Sequence, residues 1–245
     1  MKDRLHADFS FWTGFYCDED CFAWASNKAY LDMNRTLTFR EIPGNKSQKE
    51  TARIDALRKA WRDKGTDIIK AHSRFFAVEF TDWHKSVCRE LIDHYGDDKL
   101  VEKKNNQRTE HPAKLTYGQA QKWLNMTLKY LWLLNRLHLI DDENTVAFID
   151  TYEKSFHVPL DSYILRYVAR QDKSSRNKFS PSNDNGLEPN TDFTKYWNQF
   201  SSAWSHIDDQ DAYYQYQQKL KEAIPNGSPL EWELIHWHKA LKYYG

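Results

Sequence analysis

The sequence predicts a mainly α-helical protein, and three features of the chain support that fold class. Apolar residues recur at the three- to four-residue spacing of helices through most of the chain. The strict apolar–polar alternation of half-buried strands is absent, and so are internal repeats. The last apolar segment also carries a helix start signal. Pro229 stands at the first helical position, and Ser228 and Glu231 have the spacing of a capping box.

The N-terminal half contains an amphipathic helix and further apolar segments. Residues 9–31 are rich in aromatic and small side chains, which predicts helix or irregular structure packed on a core. Apolar residues recur at helical spacing from 50 to 64, with basic residues on the other faces, and again from 66 to 94, where we expect one or two helices. Residues 97–113 are polar and end in His-Pro, so we expect an exposed loop.

Two apolar helices dominate a central segment that spans residues 115–170. The first begins at about Thr116 and ends near Asn135, and apolar residues cover most of its circumference, as expected of a helix buried nearly all round. A short helix or turn over residues 145–152 precedes the second helix, which opens at Pro159-Leu-Asp-Ser.

The remaining residues complete one helical domain. Residues 171–191 are rich in Ser, Asn, Asp, Lys and Pro, which predicts a mobile insertion. Aromatic residues at helical spacing resume from 193 to 220. A chain of 245 residues with 40% apolar content can bury a substantial core in one domain or two closely joined lobes, and we predict a single domain over residues 1–245.

Composition limits the partners and cofactors. The 35 basic and 35 acidic residues balance, which argues against a general nucleic-acid coat and requires any DNA site to be a local patch. The ten Trp and fourteen Tyr residues fit either a core or a surface that stacks on extruded bases. Three cysteines are too few for a four-cysteine iron–sulfur cluster, and the pair Cys17 and Cys21 lacks a second pair, so we predict no metal and no cofactor.

The same residues predict a compartment. The odd number of thiols, the absence of a charged-then-apolar leader and the absence of an apolar run of eighteen residues predict a cytoplasmic protein that makes no contact with a membrane.

One stripe of the central helix is polar. Gly118, Lys122, Asn125, Lys129 and Arg136 fall within roughly 40° of one line on a helix of 3.6 residues per turn. Two interpretations stay open. The stripe is a solvated face, or it is the only face of a buried helix that borders a cleft, so that the Lys129 side chain points into this cleft.

Asp161 also has two interpretations. A carboxylate at the start of a helix is favoured by the free N–H groups and by the macrodipole, so a capping role alone would explain the residue. The alternative is a functional acid held at the edge of the same cleft.

Together these segments resemble the archaeal 8-oxoguanine DNA glycosylases, a divergent branch of the helix-hairpin-helix glycosylase superfamily. In that family a buried helix carries a Schiff-base lysine, and a Pro-Leu/Val-Asp segment carries the essential aspartate. Lys129 and Asp161 are similar to this pair in order and spacing, and Glu233-Leu-Ile-His-Trp237 is similar to the family's Asp-x-x-x-Trp pair. The resemblance covers three short segments. Glu233 replaces the family's aspartate, and the Leu-Pro-Gly-Val-Gly type hairpin is absent before Lys129.

The resemblance implies a two-lobed helix-hairpin-helix glycosylase-like fold, with a cleft between the lobes, and a DNA glycosylase reaction. It implies that Lys129 attacks the sugar C1′ as a neutral amine and that Asp161 stabilises the cationic sugar. Lys122 and Arg136 would border the substrate site and favour the neutral amine through like-charge repulsion.

The base site follows from the same resemblance. Glu233 and Trp237 would hydrogen-bond and stack the flipped base, which would be oxidised guanine or a bulkier hypermodified base such as those of phage DNA. A lysine nucleophile also makes strand cleavage by β-elimination, an AP-lyase activity, feasible.

A basic run after the Asp161 helix is the candidate DNA-binding surface. Its cations either contact DNA phosphates or are ordinary surface charge: Arg166, Arg170, Lys173, Arg176 and Lys178. We expect a monomer with DNA as its partner. The alternative function is a non-catalytic helical module that binds nucleic acid or protein, which the zero net charge and the missing hairpin favour.

Overall fold

The computed structural model of the chain is mainly helical, as the sequence predicts. It describes residues 20–36, 48–73, 78–96, 99–104, 107–112, 115–169, 186–188, 192–200, 204–225 and 227–244. Within these ranges no helix is both long and apolar enough to cross a membrane.

The described ranges contain nine α-helices and one β-hairpin. The helices are α1 (Cys21–Met33), α2 (Gln48–Ser73), α3 (Phe80–Gly96), α4 (Tyr117–Arg136), α5 (Glu143–Tyr152), α6 (Ser162–Val168), α7 (Thr194–Gln199), α8 (Gln210–Ala223) and α9 (Pro229–Tyr244). The strands are β1 (Lys99–Lys104) and β2 (Gln107–Pro112). Short 3₁₀ turns cover Asn34–Thr36, Glu153–Ser155 and Trp204–His206.

Helix α4 lies at the centre of the hydrophobic core, and α1 and α3 both pack on it. Its Trp123 is fully buried, and the indole N–H donates to Ser26 O at 3.0 Å. A capping box fixes its start: Thr116 Oγ1 accepts from Gln119 N at 3.1 Å, and Gln119 Oε1 accepts from Thr116 N at 3.0 Å. The predicted ends of this helix are therefore confirmed to within one residue.

Helix α2 runs without a break through Gly65, where the sequence pattern suggests two segments. A Cβ atom at Gly65 would lie 2.0 Å from the ring of Trp123, closer than any real side chain can approach. The glycine is therefore explained by close packing of α2 against α4 and not by a helix end.

The expected exposed loop over residues 97–113 is wrong. Strands β1 and β2 pair antiparallel in this region, from Lys99 opposite Pro112 to Lys104 opposite Gln107. Backbone hydrogen bonds between the two strands hold a hairpin together. Its sequence therefore need not show the apolar–polar alternation that is typical of a strand with one face on a core.

Helix α9 begins at Pro229 as predicted, but the predicted capping box does not form. Ser228 Oγ is buried and has no hydrogen-bond partner among the described residues. Glu231 reaches the guanidinium group of Arg136 on α4 instead of the helix start. A tertiary ion pair has replaced the local contact that the spacing indicates.

Only residues 186–188 of the predicted mobile insertion are described. Glu188 N donates to Ala223 O at 2.7 Å, and Leu187 is buried. Glu188 is thus bound to the end of α8, and the mobility of the insertion stays a prediction. The rest of the predicted insertion lies outside the described residues.

Candidate active site

The polar stripe of α4 is buried except at Arg136, whose side chain is half exposed. Lys122 is 6% exposed and Asn125 is fully buried, and the side chain of Lys129 is 11% exposed. The interpretation of the stripe as a solvated face is therefore wrong for these residues. An unpaired ammonium group in a protein interior is strongly unfavourable. Each lysine has a carboxylate partner on another part of the chain.

Lys129 pairs with Glu233 of α9. Its Nζ donates a hydrogen bond to Glu233 Oε2, and Glu233 is only 1% exposed. Burial raises the pKa of the Glu233 carboxyl group, and the neighbouring Lys129 charge opposes that rise. The family resemblance implies that both residues belong to one site, with Glu233 at the flipped base. In the structure its carboxylate binds the lysine.

Asp161 caps α6 and also contacts α4 and α9. Its Oδ1 accepts from Ile164 N at 2.8 Å, and its Oδ2 accepts from the indole N–H of Trp237 at 2.9 Å. Lys122 Nζ lies 3.6 Å from the same Oδ2. Both interpretations of Asp161 are therefore compatible with its position, since one oxygen caps the helix and the other faces a lysine and a tryptophan.

Lys122 and Trp237 have closer protein contacts than the sequence suggests. The Lys122 ammonium group lies 5.8 Å from the ring centre of Trp204, within the range of a cation–π contact. Trp237 is partly buried, and its N–H is engaged by Asp161. A base that stacks on Trp237 would therefore contact a face of the indole ring, while the N–H at the ring edge binds the Asp161 carboxylate.

These side chains form what we call the charge cluster: Lys122, Lys129, Asp161, Glu233 and Trp237. It joins α4, the start of α6 and α9, and its two lysines balance its two carboxylates. Such an arrangement can deliver a neutral amine when a proton passes from a lysine to a carboxylate. It can also stabilise a developing cation with the remaining carboxylate.

Arg136 lies outside the charge cluster. Its side chain is half exposed, and its guanidinium group pairs with Glu231 and lies 4.0 Å from Glu153. It also covers the Trp132 ring at 5.3 Å. Arg136 therefore ties the end of α4 to the start of α9, and the predicted role at the border of the substrate site stays a prediction.

The predicted DNA-binding run is described at one residue. Arg166 lies on α6 with its guanidinium group 5.8 Å from the ring centre of Trp197. Arg170, Lys173, Arg176 and Lys178 lie outside the described residues. Phosphate contact by this run stays a prediction.

A buried polar network adjoins the charge cluster, and sequence reasoning missed it. Asn125 Nδ2 donates to Tyr213 OH at 2.8 Å, and Asn125 Oδ1 lies 2.9 Å from His84 Nε2. The other His84 nitrogen lies 2.6 Å from Tyr214 OH. Burial lowers the pKa of His84 to about 4, so its ring is neutral at pH 7. The only sequence signal was the place of Asn125 on the polar stripe.

This network ends at a surface pocket of about 260 Å³. His157 lines the pocket, and its Nδ1 lies 3.0 Å from Tyr213 OH. Burial lowers the pKa of His157 as well, with a smaller contribution from the neighbouring His84. Phe80, Gln217 and Lys221 are also in the pocket lining. None of the charge-cluster residues is part of this lining, so the two sites are distinct.

Comparisons with known proteins add no family to this geometry. The chain matches no protein-family model, and searches of curated proteins and of solved structures found no match.

Proposed function

We propose that the protein is a DNA N-glycosylase that excises a modified base through a lysine Schiff base. The observation that carries this proposal is the meeting of the three segments of the family resemblance. Glu233 and Trp237 of α9 hold Lys129 and Asp161 through direct hydrogen bonds, although 32 positions separate Lys129 from Asp161 and 72 separate Asp161 from Glu233.

Lys129 is the proposed nucleophile. Its side chain is almost completely buried, and a carboxylate in direct contact can accept its proton. A neutral amine in an apolar site is an effective nucleophile toward an electrophilic carbon. Attack on C1′ of the sugar would displace the base and open the route to an imine.

Asp161 is the proposed stabiliser of the cationic sugar. The backbone N–H of Ile164 and the indole N–H of Trp237 both donate to its carboxylate and fix its position. Its side chain is 17% exposed and is thus the more open carboxylate of the charge cluster. An anion fixed by donors needs little reorganisation when positive charge develops beside it.

The proposal retains DNA as the partner and a two-lobed helical fold with a cleft. The substrate is oxidised guanine or a bulkier hypermodified base, and Trp237 provides a ring face for stacking. The imine also permits strand cleavage by β-elimination. Contacts between the DNA backbone and the basic run that begins at Arg166 belong to the same proposal.

Trapping with borohydride tests the proposal. The protein is incubated with duplexes that carry single modified bases, and a covalent protein–DNA adduct is expected with at least one of them. The adduct should disappear in Lys129→Gln, because an amide cannot form the imine. Lys154→Gln is the control for loss of a positive charge, since Lys154 is exposed in the Glu153–Ser155 turn.

Two results would contradict the proposal. If the wild-type protein forms no adduct and releases no base from any duplex in the panel, the alternative of a non-catalytic binding module takes its place. An adduct that persists in Lys129→Gln would show that this residue is not the nucleophile.

A further inference from the structure

The two carboxylates of the charge cluster differ in their surroundings. Asp161 receives hydrogen bonds from Ile164 N and Trp237 Nε1 and lies 3.6 Å from the Lys122 ammonium group. Among the described residues, Glu233 has a hydrogen bond from Lys129 only. Asp161 is therefore held by two hydrogen-bond donors and a nearby ammonium group, whereas Glu233 has one hydrogen-bond donor and a weaker attraction to Lys122 that the Asp161 charge opposes.

Burial strengthens this difference. The Glu233 side chain is 2% exposed and its lysine partner is 11% exposed, so water cannot stabilise either charge well. In such surroundings the ion pair and the neutral acid–amine pair come close in free energy, because desolvation penalises both charges of the ion pair. The raised pKa of the Glu233 carboxyl group agrees with this balance.

We propose that Glu233 is the general base that removes the proton from Lys129 and returns it to the departing base. This inference rests on the proposed glycosylase function and gives Glu233 a role in proton transfer in place of the expected role in base recognition. Asp161 then remains the anion that faces the sugar, and Lys122 is a positioning residue that holds Asp161.

The proposed step conserves protons and charge. A proton moves from Lys129 Nζ to Glu233 Oε2, and the neutral amine forms a bond to C1′ while the glycosidic bond breaks. The base leaves with the bonding electron pair and takes the proton from Glu233. The aminium nitrogen then passes one proton to the ring oxygen, the C1′–O4′ bond breaks, and a protonated imine remains.

A duplex with a preformed abasic site separates the two roles of Glu233. Such a site has no base to recognise, so a residue that only binds the base should not affect trapping. The neutral amine adds to the aldehyde carbon, water leaves, and hydride from borohydride reduces the imine to a secondary amine. The rate constant of this trapping reports the supply of neutral amine.

In Glu233→Gln the amide cannot accept the proton, so Lys129 must lose it to the solvent, and the trapping rate constant should become pH-dependent, rising about tenfold per pH unit from pH 5 upward. It should level off once the lysine is neutral, because an ammonium group that is buried without a counter-charge is disfavoured. The wild-type rate should change less than about threefold from pH 7 to 9, because the proton stays within the pair.

Two variants control for structure. Glu231→Gln removes a carboxylate from the same helix that pairs with Arg136 at the surface, and it should trap at the wild-type rate. Glu233→Asp keeps a carboxylate and should keep the flat pH profile even if its rate is lower. Thermal unfolding of each variant shows whether it is folded at the temperature of the assay.

The outcomes separate the inference from the function on which it rests. Trapping of the abasic duplex by Glu233→Gln that does not change with pH, at the wild-type rate or below it, overturns the role as base while the glycosylase proposal stands. A wild-type rate that rises tenfold per pH unit also overturns it. If the wild-type protein traps neither modified nor abasic duplexes, the proposed function itself fails.

Discussion

Asp161 connects helix formation with the chemistry of the site at the scale of single residues. One carboxylate oxygen caps α6, and the other lies between a buried lysine and an indole N–H. An asparagine side chain at this position can still accept the capping hydrogen bond, but it carries no negative charge. A substitution at this position therefore changes both the stability of the fold and the proposed reaction, and the two effects can be separated through Lys122.

Asp161→Asn should lower the free energy of unfolding by about 1–3 kcal/mol, because the buried Lys122 loses its counter-charge. Under the proposed function it should also slow base excision by about 100-fold or more, because the anion proposed to stabilise the sugar cation is lost. Urea unfolding and single-turnover excision measure the two effects.

The double variant Lys122→Met with Asp161→Asn is the matched control. Removing both charges should restore most of the lost stability, whereas excision should stay slow. If the two substitutions simply add in their cost to stability, Lys122 and Asp161 do not interact, and Lys122 is not the residue that holds Asp161.

At the scale of elements, the beginning of α4 depends on a close contact with the segment that follows α7. The 3₁₀ turn Trp204–His206 packs against α4, and Gly118 N donates to Ile207 O at 2.7 Å. A Cβ atom at Gly118 would lie 1.9 Å from the backbone oxygen of Trp204. The contact places Lys122, one turn further along α4, beside the Trp204 ring.

Gly118→Ala should destabilise the protein by about 1–3 kcal/mol, because a backbone oxygen cannot move away as a flexible side chain can. Helix propensity alone would predict the opposite sign, since alanine favours a helix by about 1 kcal/mol over glycine. Denaturant unfolding decides between these signs. Gly227→Ala is the control, because a Cβ atom at Gly227 would lie at an ordinary 3.7 Å from its nearest neighbours. A Gly118→Ala variant that is more stable than the wild type would show that the Trp204–His206 turn can shift.

Local signals predicted several helices, α4 among them, but they missed the β1–β2 hairpin and the partners across the fold. The capping box at Thr116 and Gln119 lies within four residues of sequence, so it fixed the start of α4. The same kind of pattern at Ser228 failed, because Glu231 binds Arg136, 95 positions away. The stripe on α4 likewise grouped Lys122 with Lys129 without indicating that their partners are Asp161 and Glu233. Such pairings depend on how α6 and α9 pack against α4. The spacing of residues along one helix indicates which of them share a face, but not which helix lies opposite that face.

At the scale of the whole molecule, buried neutral histidines contribute to the response of the fold to acid, because they bind protons less readily in the folded than in the unfolded chain. His84 is fully buried, and burial lowers its pKa from 6.5 to about 4. The unfolded chain takes up a proton at this residue below pH 6.5, whereas the folded chain does so only near pH 4. His84 therefore reduces stability as the pH falls through this range.

The free energy of unfolding should fall between pH 7 and pH 5, and His84 alone should account for about 2 kcal/mol of that loss. Urea unfolding at the two pH values measures the change. His84→Asn, which cannot take up a proton, should be less stable at pH 7 but should lose about 2 kcal/mol less on acidification. An equal loss in the two proteins would show that His84 is protonated in the folded state above pH 5.

The balance of charge within the charge cluster has a consequence for how DNA would approach it. Two ammonium groups and two carboxylates cancel, so the electric potential of the cluster decays over a much shorter distance than that of a single ion. Dissolved salt screens charges that are exposed and far apart, and it hardly affects buried pairs. An approaching phosphate would therefore respond to surface cations at long range and to the cluster only at contact. Ionic strength should thus control the encounter with DNA and leave the chemical step almost unchanged.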